Sequence, residues 1–257
     1  MIIAGIDCGA KNTKTVILKE GSIIGKGTTL TGFDQVSAIK GSLDDALKDA
    51  GIHARDVDNI SGTGAGMEEI KDADLKVNEI KAMAKAANYL FPSARTVTDV
   101  GAEMGRAAKI DENGKAVDFA INEKCAAGAG AFIEAMARAL EVKLEEMGPM
   151  AIQSNKSIPM NAQCAIFAES EVVGLIHGKI PKVDISKAIH DAMASRVVSM
   201  IRRIGVNEDI VMIGGCGLNP GFVDSLKNQL EIDKVYIPDD PAFGAALGAA
   251  VVLKEEA

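Results

Sequence analysis

Two cysteines of this chain lie in small-residue segments that each lead into an apparent helix. Cys125 lies within residues 122–132, and Cys164 lies within residues 161–171, at or just inside a second helix start. The start of a helix leaves backbone N–H groups unpaired and carries a positive partial charge, so it stabilises a thiolate. Both cysteines are therefore candidate ligands of a metal ion or cluster. One chain supplies too few for a four-ligand site, whereas two chains would supply enough.

A loop near the N-terminus has side chains suited to the phosphates of a nucleotide. It follows an apolar strand and runs from Asp7 to Lys14. Glycine lets the backbone approach a ligand closely, and the carboxylate of Asp7 can hold a hydrated Mg²⁺ ion. The loop residues that we expect to contact the nucleotide are Gly9, Lys11, Asn12, Thr13 and Lys14.

Two further segments suit the same ligand. A second loop starts at Asp99 and contains Gly101, and a later apolar strand ends in Gly214 and Gly215. Ligands of open α/β sheets bind beyond the carboxyl ends of strands, where these glycines lie. None of the three segments is a Walker loop or a dinucleotide fingerprint, so each is weak alone. Together they indicate a nucleotide site.

The first two loops belong to an internal repeat. Residues 3–24 and 96–119 each read as a strand, an Asp-x-Gly loop, a second strand, a tight turn and a third strand. Helical patterns follow each copy, so the sequence predicts a mixed α/β chain with two similar halves. We predict a first domain of residues 1–95 plus 241–257 and a second domain of residues 96–240. Helices are predicted over 35–50, 67–90, 131–146, 162–178, 184–204, 219–230 and 242–254, and strands over 209–213 and 234–237.

Composition excludes several classes of partner. The net charge is −8 without a basic cluster, and the chain has no Trp and only two Tyr, so we expect no nucleic-acid partner. No apolar run approaches the length of a membrane span, and the N-terminal segment reaches Asp7 too early for a signal peptide. We therefore expect a cytoplasmic protein with no membrane partner. The four cysteines show no Cys-x-x-Cys spacing, which argues against a disulfide framework in that compartment.

The paired Asp-x-Gly hairpins and the late Gly-Gly pair resemble the superfamily of sugar kinases, acetate kinase, actin and heat-shock chaperone ATPases. Within it, Lys124–Gly130 and Phe167–Val172 resemble the family of ATPase activators of 2-hydroxyacyl-CoA dehydratases and ATP-binding subunits of benzoyl-CoA reductases. The resemblance extends from Ile3 to about Val252. It implies two similar α/β domains of the actin-like, acetate-kinase-like fold, a duplicated ribonuclease-H-like motif, with a nucleotide cleft between them.

The resemblance also implies the ligands. One [4Fe–4S] cluster would be held between two chains by Cys125 and Cys164 of each chain, and each cleft would bind ATP or ADP with Mg²⁺. Phosphate contacts carry over to the two Asp-x-Gly loops, and the base and ribose side carries over to the Gly-Gly pair and Gly244. We add Gly128 and Gly130, from the cysteine-containing loop, to the nucleotide-binding set.

The implied role is ATP-dependent transfer of one electron at a time to a partner enzyme. The chain would form a dimer with itself or with a paralogous ATPase subunit. The electron acceptor would be the catalytic subunits of an acyl-CoA dehydratase or of benzoyl-CoA reductase, and the donor a ferredoxin or flavodoxin.

One position of the second loop departs from the family pattern. Activators of the dehydratase type usually carry glutamine where this chain has Glu103. A carboxylate thus replaces a neutral amide that orients water, and the neighbouring residues look more like the benzoyl-CoA reductase side of the family. We assign Asp7 and Glu103 as the catalytic residues.

Two alternatives stay open from the residues. A small-molecule kinase of the same superfamily would need a substrate pocket and a catalytic base, and no sugar-binding constellation is identifiable. A cluster-free nucleotide-binding regulator would use Cys125 and Cys164 only for packing. We interpret Cys8 and Cys216 as small buried packing residues.

Overall fold

The computed structural model describes residues 1–122, 130–160 and 164–257. The predictions made for Cys125 and Gly128 therefore lie outside the described residues. Two sheets dominate the fold, one with strand order β3-β2-β1-β4-β5 and one with strand order β8-β7-β6-β9. Their strands are β1 (Ile2–Cys8), β2 (Asn12–Lys19), β3 (Ser22–Leu30), β4 (Asn59–Thr63), β5 (Leu75–Lys76), β6 (Thr96–Val100), β7 (Gly105–Ile110), β8 (Ala116–Asn122) and β9 (Ile210–Ile213).

Helices cover both sheets. They are α1 (Gln35–Ala50), α2 (Glu79–Leu90), α3 (Gly130–Ala139), α4 (Leu144–Ala151), α5 (Ala165–His177), α6 (Lys182–Ile204), α7 (Pro220–Leu230) and α8 (Gly244–Glu256). Within the described ranges, no helix is both long enough and apolar enough to cross a membrane.

The two sheets share one topology, as the internal repeat predicts. The strands β1, β2 and β3 pair antiparallel in the first sheet, as do β6, β7 and β8 in the second. A later strand then pairs parallel with the first strand of each hairpin, β4 with β1 and β9 with β6. The counterpart of β5 in the second sheet is reduced to a single parallel bridge between Val211 and Tyr236, where the sequence predicts a short strand.

The apolar run of β9 follows from burial on both faces. Ile210 and Met212 pack into a core that α6 shares, whereas Val211 and Ile213 pack against Met83 and its neighbours on α2. The first sheet is covered in the same way, with α8 on one face and α1 on the other. The helices α2 and α8 also pack against each other, so this pair connects the two sheets.

Two predicted helices are wrong in extent. The helix predicted over 67–90 begins only at Glu79, because Asp74 accepts a hydrogen bond from the Ile60 N–H (2.8 Å) and holds the preceding segment beside β4. The helix predicted over 131–146 is two helices, because Glu141 adopts a left-handed conformation (φ 54°) between them. This break directs the start of α4 toward the space between the sheets.

Candidate functional site

A cavity of about 510 Å³ lies between the two sheets and is lined by both Asp-x-Gly loops and the Gly-Gly turn. Most of the predicted nucleotide and catalytic residues meet there. The predicted residues that line it are Asp7, Gly9, Lys11, Asn12, Lys14, Asp99, Gly101, Glu103, Gly130, Gly214 and Gly215.

Each half of the fold brings one carboxylate and one cation to this cleft at the same register position. Lys14 is the strand partner of Asp7, and its Nζ lies 3.0 Å from Asp7 Oδ2. Arg106 is the strand partner of Asp99, with Nη1 3.5 Å from Asp99 Oδ2. Arg106 also donates to Glu79 Oε1 at 2.6 Å, which ties β7 to the first turn of α2. The sequence analysis missed Arg106, although its alignment with Lys14 in the repeat was a signal for it.

The floor of the cleft carries an excess of buried negative charge. Burial raises the pKa of Asp99 to about 6, against the opposing effect of the Arg106 guanidinium, and the charge of Asp7 raises it further. Burial likewise raises the pKa of Glu79, and Arg106 opposes the rise. Carboxylates in this setting gain from a cation that screens their charges. The floor therefore suits a divalent cation.

The carboxylates of the described residues are too dispersed to hold a metal ion unaided. In the described ranges, no three His, Cys, Asp or Glu side chains form a metal-binding group. This fits Mg²⁺, which is usually bound by one or two carboxylates together with waters and the phosphates of a substrate. Asp7 and Asp99 are the carboxylates that fit this role.

A glycine without a tolerable substitute backs each aspartate. Gly64 follows β4 with φ 91°, and Gly214 follows β9 with φ 88°. A Cβ atom on Gly64 would lie 2.4 Å from Asp7 Oδ1, and one on Gly214 would lie 2.5 Å from Asp99 Oδ1. Gly214 was predicted to bind the ligand, whereas Gly64 was missed, although it follows a strand in the same way. The two glycines leave room for the carboxylates.

The start of α3 is attached to the second loop. The Gly130 N–H donates to the Gly101 carbonyl at 2.8 Å, and the Ala131 N–H donates to the Ala102 carbonyl at 2.8 Å. Two orphan donors of the helix start are satisfied in this way. The second loop and α3 therefore form one hydrogen-bonded unit.

The first loop contacts α3 from the other side of the cleft. Lys11 forms an ion pair with Glu134, which lies one turn into α3. Glu134 lines the cleft but was not identified from the sequence. Its carboxylate therefore faces the region in which phosphates are expected.

Cys216 and Cys8 are buried, in agreement with their interpretation as packing residues. The Cys216 thiol donates to the Gly101 carbonyl at 3.5 Å, and burial raises its pKa to about 12. Burial also raises the pKa of the Cys8 thiol, against the hydrogen bond from Thr13. Both thiols stay protonated at neutral pH and are poor ligands.

Cys164 has a different environment. It is the N-cap residue of α5, half-buried, and its side chain accepts no capping hydrogen bond. Beyond it, α5 exposes the apolar side chains of Ile166, Phe167 and Val173. A free thiol at a helix start fits a thiolate ligand, and the adjoining apolar face is unusual for solvent.

Two predicted nucleotide contacts lie elsewhere. Thr13 is fully buried, and its hydroxyl is hydrogen-bonded to the Thr31 hydroxyl at 3.0 Å. The reason is that β2 already begins at Asn12, so Thr13 points to the face opposite Asn12 and Lys14. Gly244 packs against the Ile213 side chain rather than lining the cleft, and its neighbours Ala242 and Ala245 line it instead.

The far end of the cleft was not predicted. It is built from the starts of α4 and α7, where the chain packs closely because a Cβ on Gly148 would lie 2.6 Å from Asn219 Oδ1. This end has aliphatic walls and a few polar groups, which suits a flat heterocyclic base. Its residues are Leu144, Glu145, Gly148, Leu218, Asn219 and Pro220.

Comparison with known proteins gives a consistent result. A model of the BadF/BadG/BcrA/BcrD ATPase family matches residues 4–252. The activator of lactoyl-CoA dehydratase from Anaerotignum propionicum is 36% identical over 257 residues, which cover 100% of this chain and 99% of the relative. One of the benzoyl-CoA reductase subunits from Thauera aromatica is 31% identical over 261 residues, which cover 97% of this chain and 92% of that relative.

A solved structure matches over the same length. The activator of the 2-hydroxyisocaproyl-CoA dehydratase from Clostridium difficile, with bound ADPNP, superposes with a TM-score of 0.93 at 33% identity. The superposition covers 100% of this chain and 95% of that one. The two-sheet fold around the cleft is thus the fold of an actin-like ATPase, as predicted.

Proposed function

The chain belongs to the BadF/BadG/BcrA/BcrD ATPase family, and from this premise we propose that it couples ATP hydrolysis to the transfer of single electrons. The recipient would be an acyl-CoA dehydratase or benzoyl-CoA reductase. Its relatives include a dehydratase activator and a component of the reductase, so the chain is an ATP-hydrolysing activator in the broad sense. The observation that carries the finer proposal is the attachment of the cleft to a helix, α3, that packs against the cysteine-bearing helix α5.

The nucleotide would be ATP, bound with its phosphates between the two Asp-x-Gly loops. Asp7 and Asp99 would hold Mg²⁺, and Lys11 and Lys14 would contact the phosphates. The ADPNP bound to the related activator supports this assignment. Glu103 lies at the exposed rim of the same cleft, where its carboxylate would orient the attacking water.

Cys125 and Cys164 of two chains would hold one [4Fe–4S] cluster, which supplies one-electron chemistry when bound. The half-buried, uncapped thiol of Cys164 supports its part in this role. The exposed apolar face of α5 supports a dimer, because a second copy of α5 could cover Ile166 and Phe167. The start of α5 stabilises nearby negative charge by up to about 2 kcal/mol, which corresponds to roughly 80 mV for one electron.

ATP would act by changing the separation of the two sheets. Closure of a cleft around a nucleotide is a common two-state transition. Since both loops contact α3, closure would move α3 and the helix α5 packed against it. The electrostatic surroundings of Cys164 would then depend on the nucleotide.

An anaerobic coupled assay tests the proposal. The protein is mixed with a 2-hydroxyacyl-CoA dehydratase, a ferredoxin or flavodoxin as donor, and Mg²⁺ with ATP, ADP or ADPNP. We expect dehydration of the acyl-CoA only with ATP, and none with the Asp7→Asn variant. A parallel assay with the catalytic part of benzoyl-CoA reductase distinguishes the two acceptor classes. Phosphorylation of a small molecule, without activation of either enzyme, would instead support the kinase alternative.

A further inference from the structure

The helix α3 is held from two directions by the loops expected to bind phosphate. The second loop accepts hydrogen bonds from the Gly130 and Ala131 N–H groups, both at 2.8 Å. The first loop reaches α3 only through a side chain, the ammonium group of Lys11 on the carboxylate of Glu134. One attachment is thus a pair of fixed backbone bonds, and the other is an ion pair that can be exchanged.

The exposure of the two cleft lysines indicates which can exchange partners. The side chains of Lys11 and Glu134 are 42% and 26% exposed, whereas those of Lys14 and Asp7 are 17% and 11% exposed. Lys14 is further held by the Asn12 carbonyl at 3.0 Å. An exposed ion pair is weak, so a polyphosphate can take Lys11 from Glu134 more readily than it can take Lys14 from Asp7.

The loss of Lys11 has a consequence for α3. The carboxylate of Glu134 would then face the phosphates without a cation, and like charges at close range repel. The repulsion acts on a helix that packs against α5, since α5 contacts α3 more extensively than α6. Cys164 lies at the start of α5, so a displacement of α3 is carried to this cysteine.

We propose that Glu134 is a positioning residue that senses the nucleotide phosphates by losing Lys11 to them. The exchange shifts α3 and, through α5, the surroundings of Cys164. This inference rests on the proposed nucleotide site, and it extends the proposed function by naming the link between that site and the cysteine-bearing helix.

A double-mutant cycle on ADPNP affinity tests the exchange. Glu134→Gln removes the competing anion and should tighten ADPNP binding, and Lys11→Met should weaken it. In the Lys11→Met background, Glu134→Gln loses the part of its effect that comes from freeing Lys11. We expect the two effects of Glu134→Gln to differ by about threefold, the scale of an exposed ion pair. Equal effects in both backgrounds would overturn the exchange.

A matched control separates pairing from general charge. Glu145 lines the same cleft, and Glu145→Gln removes an equal charge from it. The effect of Glu145→Gln on ADPNP affinity should be the same with Lys11 and with Met at position 11. A coupling as large as that of Glu134 would mean that the cycle reports only the net charge of the cleft, and the inference would be wrong.

Hydrogen–deuterium exchange tests the second step without using the cluster. ADPNP should change the exchange of peptides within Ala165–His177 in the wild-type protein. The ligand-free Glu134→Gln variant should already show part of that change, whereas Glu145→Gln should not. A Glu134→Gln variant with wild-type exchange in α5 would contradict the link. Because neither measurement needs iron, a protein that lacks a cluster would refute the electron-transfer proposal and still leave this inference open to its own test.

Discussion

Asp7 and Asp99 occupy equivalent positions in the two sheets and face one cleft. Each is paired in register with a cation, Lys14 at 3.0 Å and Arg106 at 3.5 Å, on the next strand of its hairpin. Duplication of one motif has therefore placed two carboxylates and two cations around a shared cavity. A ligand with alternating positive and negative groups, such as a metal–polyphosphate complex, matches this arrangement.

Replacement of Gly214 by alanine should destabilise the protein, whereas replacement of its neighbour should not. Gly214 has φ 88°, and an added Cβ would lie 2.4 Å from the Val100 carbonyl oxygen. We expect Gly214→Ala to lower the free energy of unfolding by about 2 kcal/mol or more. Gly215 has open space at its Cβ position, so Gly215→Ala should change it by less than about 0.5 kcal/mol. Urea unfolding of both variants measures the difference, and equal effects would refute the steric explanation.

Asp7→Asn should impair ATP turnover more than nucleotide binding. The substitution keeps the shape of the side chain but removes the charge that would hold Mg²⁺. The backbone of the loop and Lys14, which would lose its carboxylate partner, remain to contact phosphate. We expect kcat to fall at least about a hundredfold, with a smaller change in the dissociation constant of ADPNP. Unchanged turnover at saturating Mg²⁺ would exclude Asp7 as a metal ligand.

Asp99 should give the ATPase reaction a pH dependence. Burial raises the pKa of this carboxyl to about 6, and only the ionised form can bind Mg²⁺. Since kcat/KM reports the free enzyme, it should rise with pH between about 5 and about 7. Asp99→Asn should have low activity without this inflection. A wild-type inflection that persists in Asp99→Asn would assign it to another group.

The same pKa shift predicts the sign of a stability effect. Because the folded-state pKa of Asp99 lies above the ordinary value, the folded protein binds this proton more tightly than the unfolded chain. The stabilisation is complete below the ordinary pKa and is lost as pH rises through about 6. Asp99→Asn should therefore lose less unfolding free energy than wild type between about pH 4 and about pH 7.

Glu103 should affect hydrolysis more than binding. It lines the rim of the cleft and is exposed, so its charge contributes little to phosphate affinity. Glu103→Ala removes the group proposed to orient water and should lower kcat at least about tenfold. Glu103→Gln keeps an amide oxygen and should lower kcat less. If steady-state kinetics show both variants equal to wild type, Glu103 has no part in the reaction.

Local signals in the sequence were sufficient for the first half of the fold. The bounds of α1 agree with prediction because Asp34 caps its start and Gly51, in a left-handed conformation, ends it. The repeat likewise reveals both Asp-x-Gly loops. Glu141 gives no such signal, since glutamate is an ordinary helix residue, and its left-handed conformation hides α4 and the far end of the cleft.

Long-range contacts account for the rest of what the sequence did not show. The pair of Arg106 with Glu79 and the pair of Lys11 with Glu134 join residues that are distant in the chain. Such contacts depend on how α2 and α3 pack, which no local pattern specifies. The error at Thr13 had a local cause, because the alternation of β2 begins two residues earlier than the loop was expected to end.

Iron and sulfide analysis of the anaerobically purified protein, with EPR of the reduced state, tests the electron-transfer function most directly. We predict one [4Fe–4S] cluster per two chains in the wild type, in Cys8→Ala and in Cys216→Ala, since these two thiols are buried. The cluster should be lost in Cys125→Ala and in Cys164→Ala. A full cluster in Cys164→Ala, or a wild-type dimer without iron that still hydrolyses ATP, would contradict the proposal.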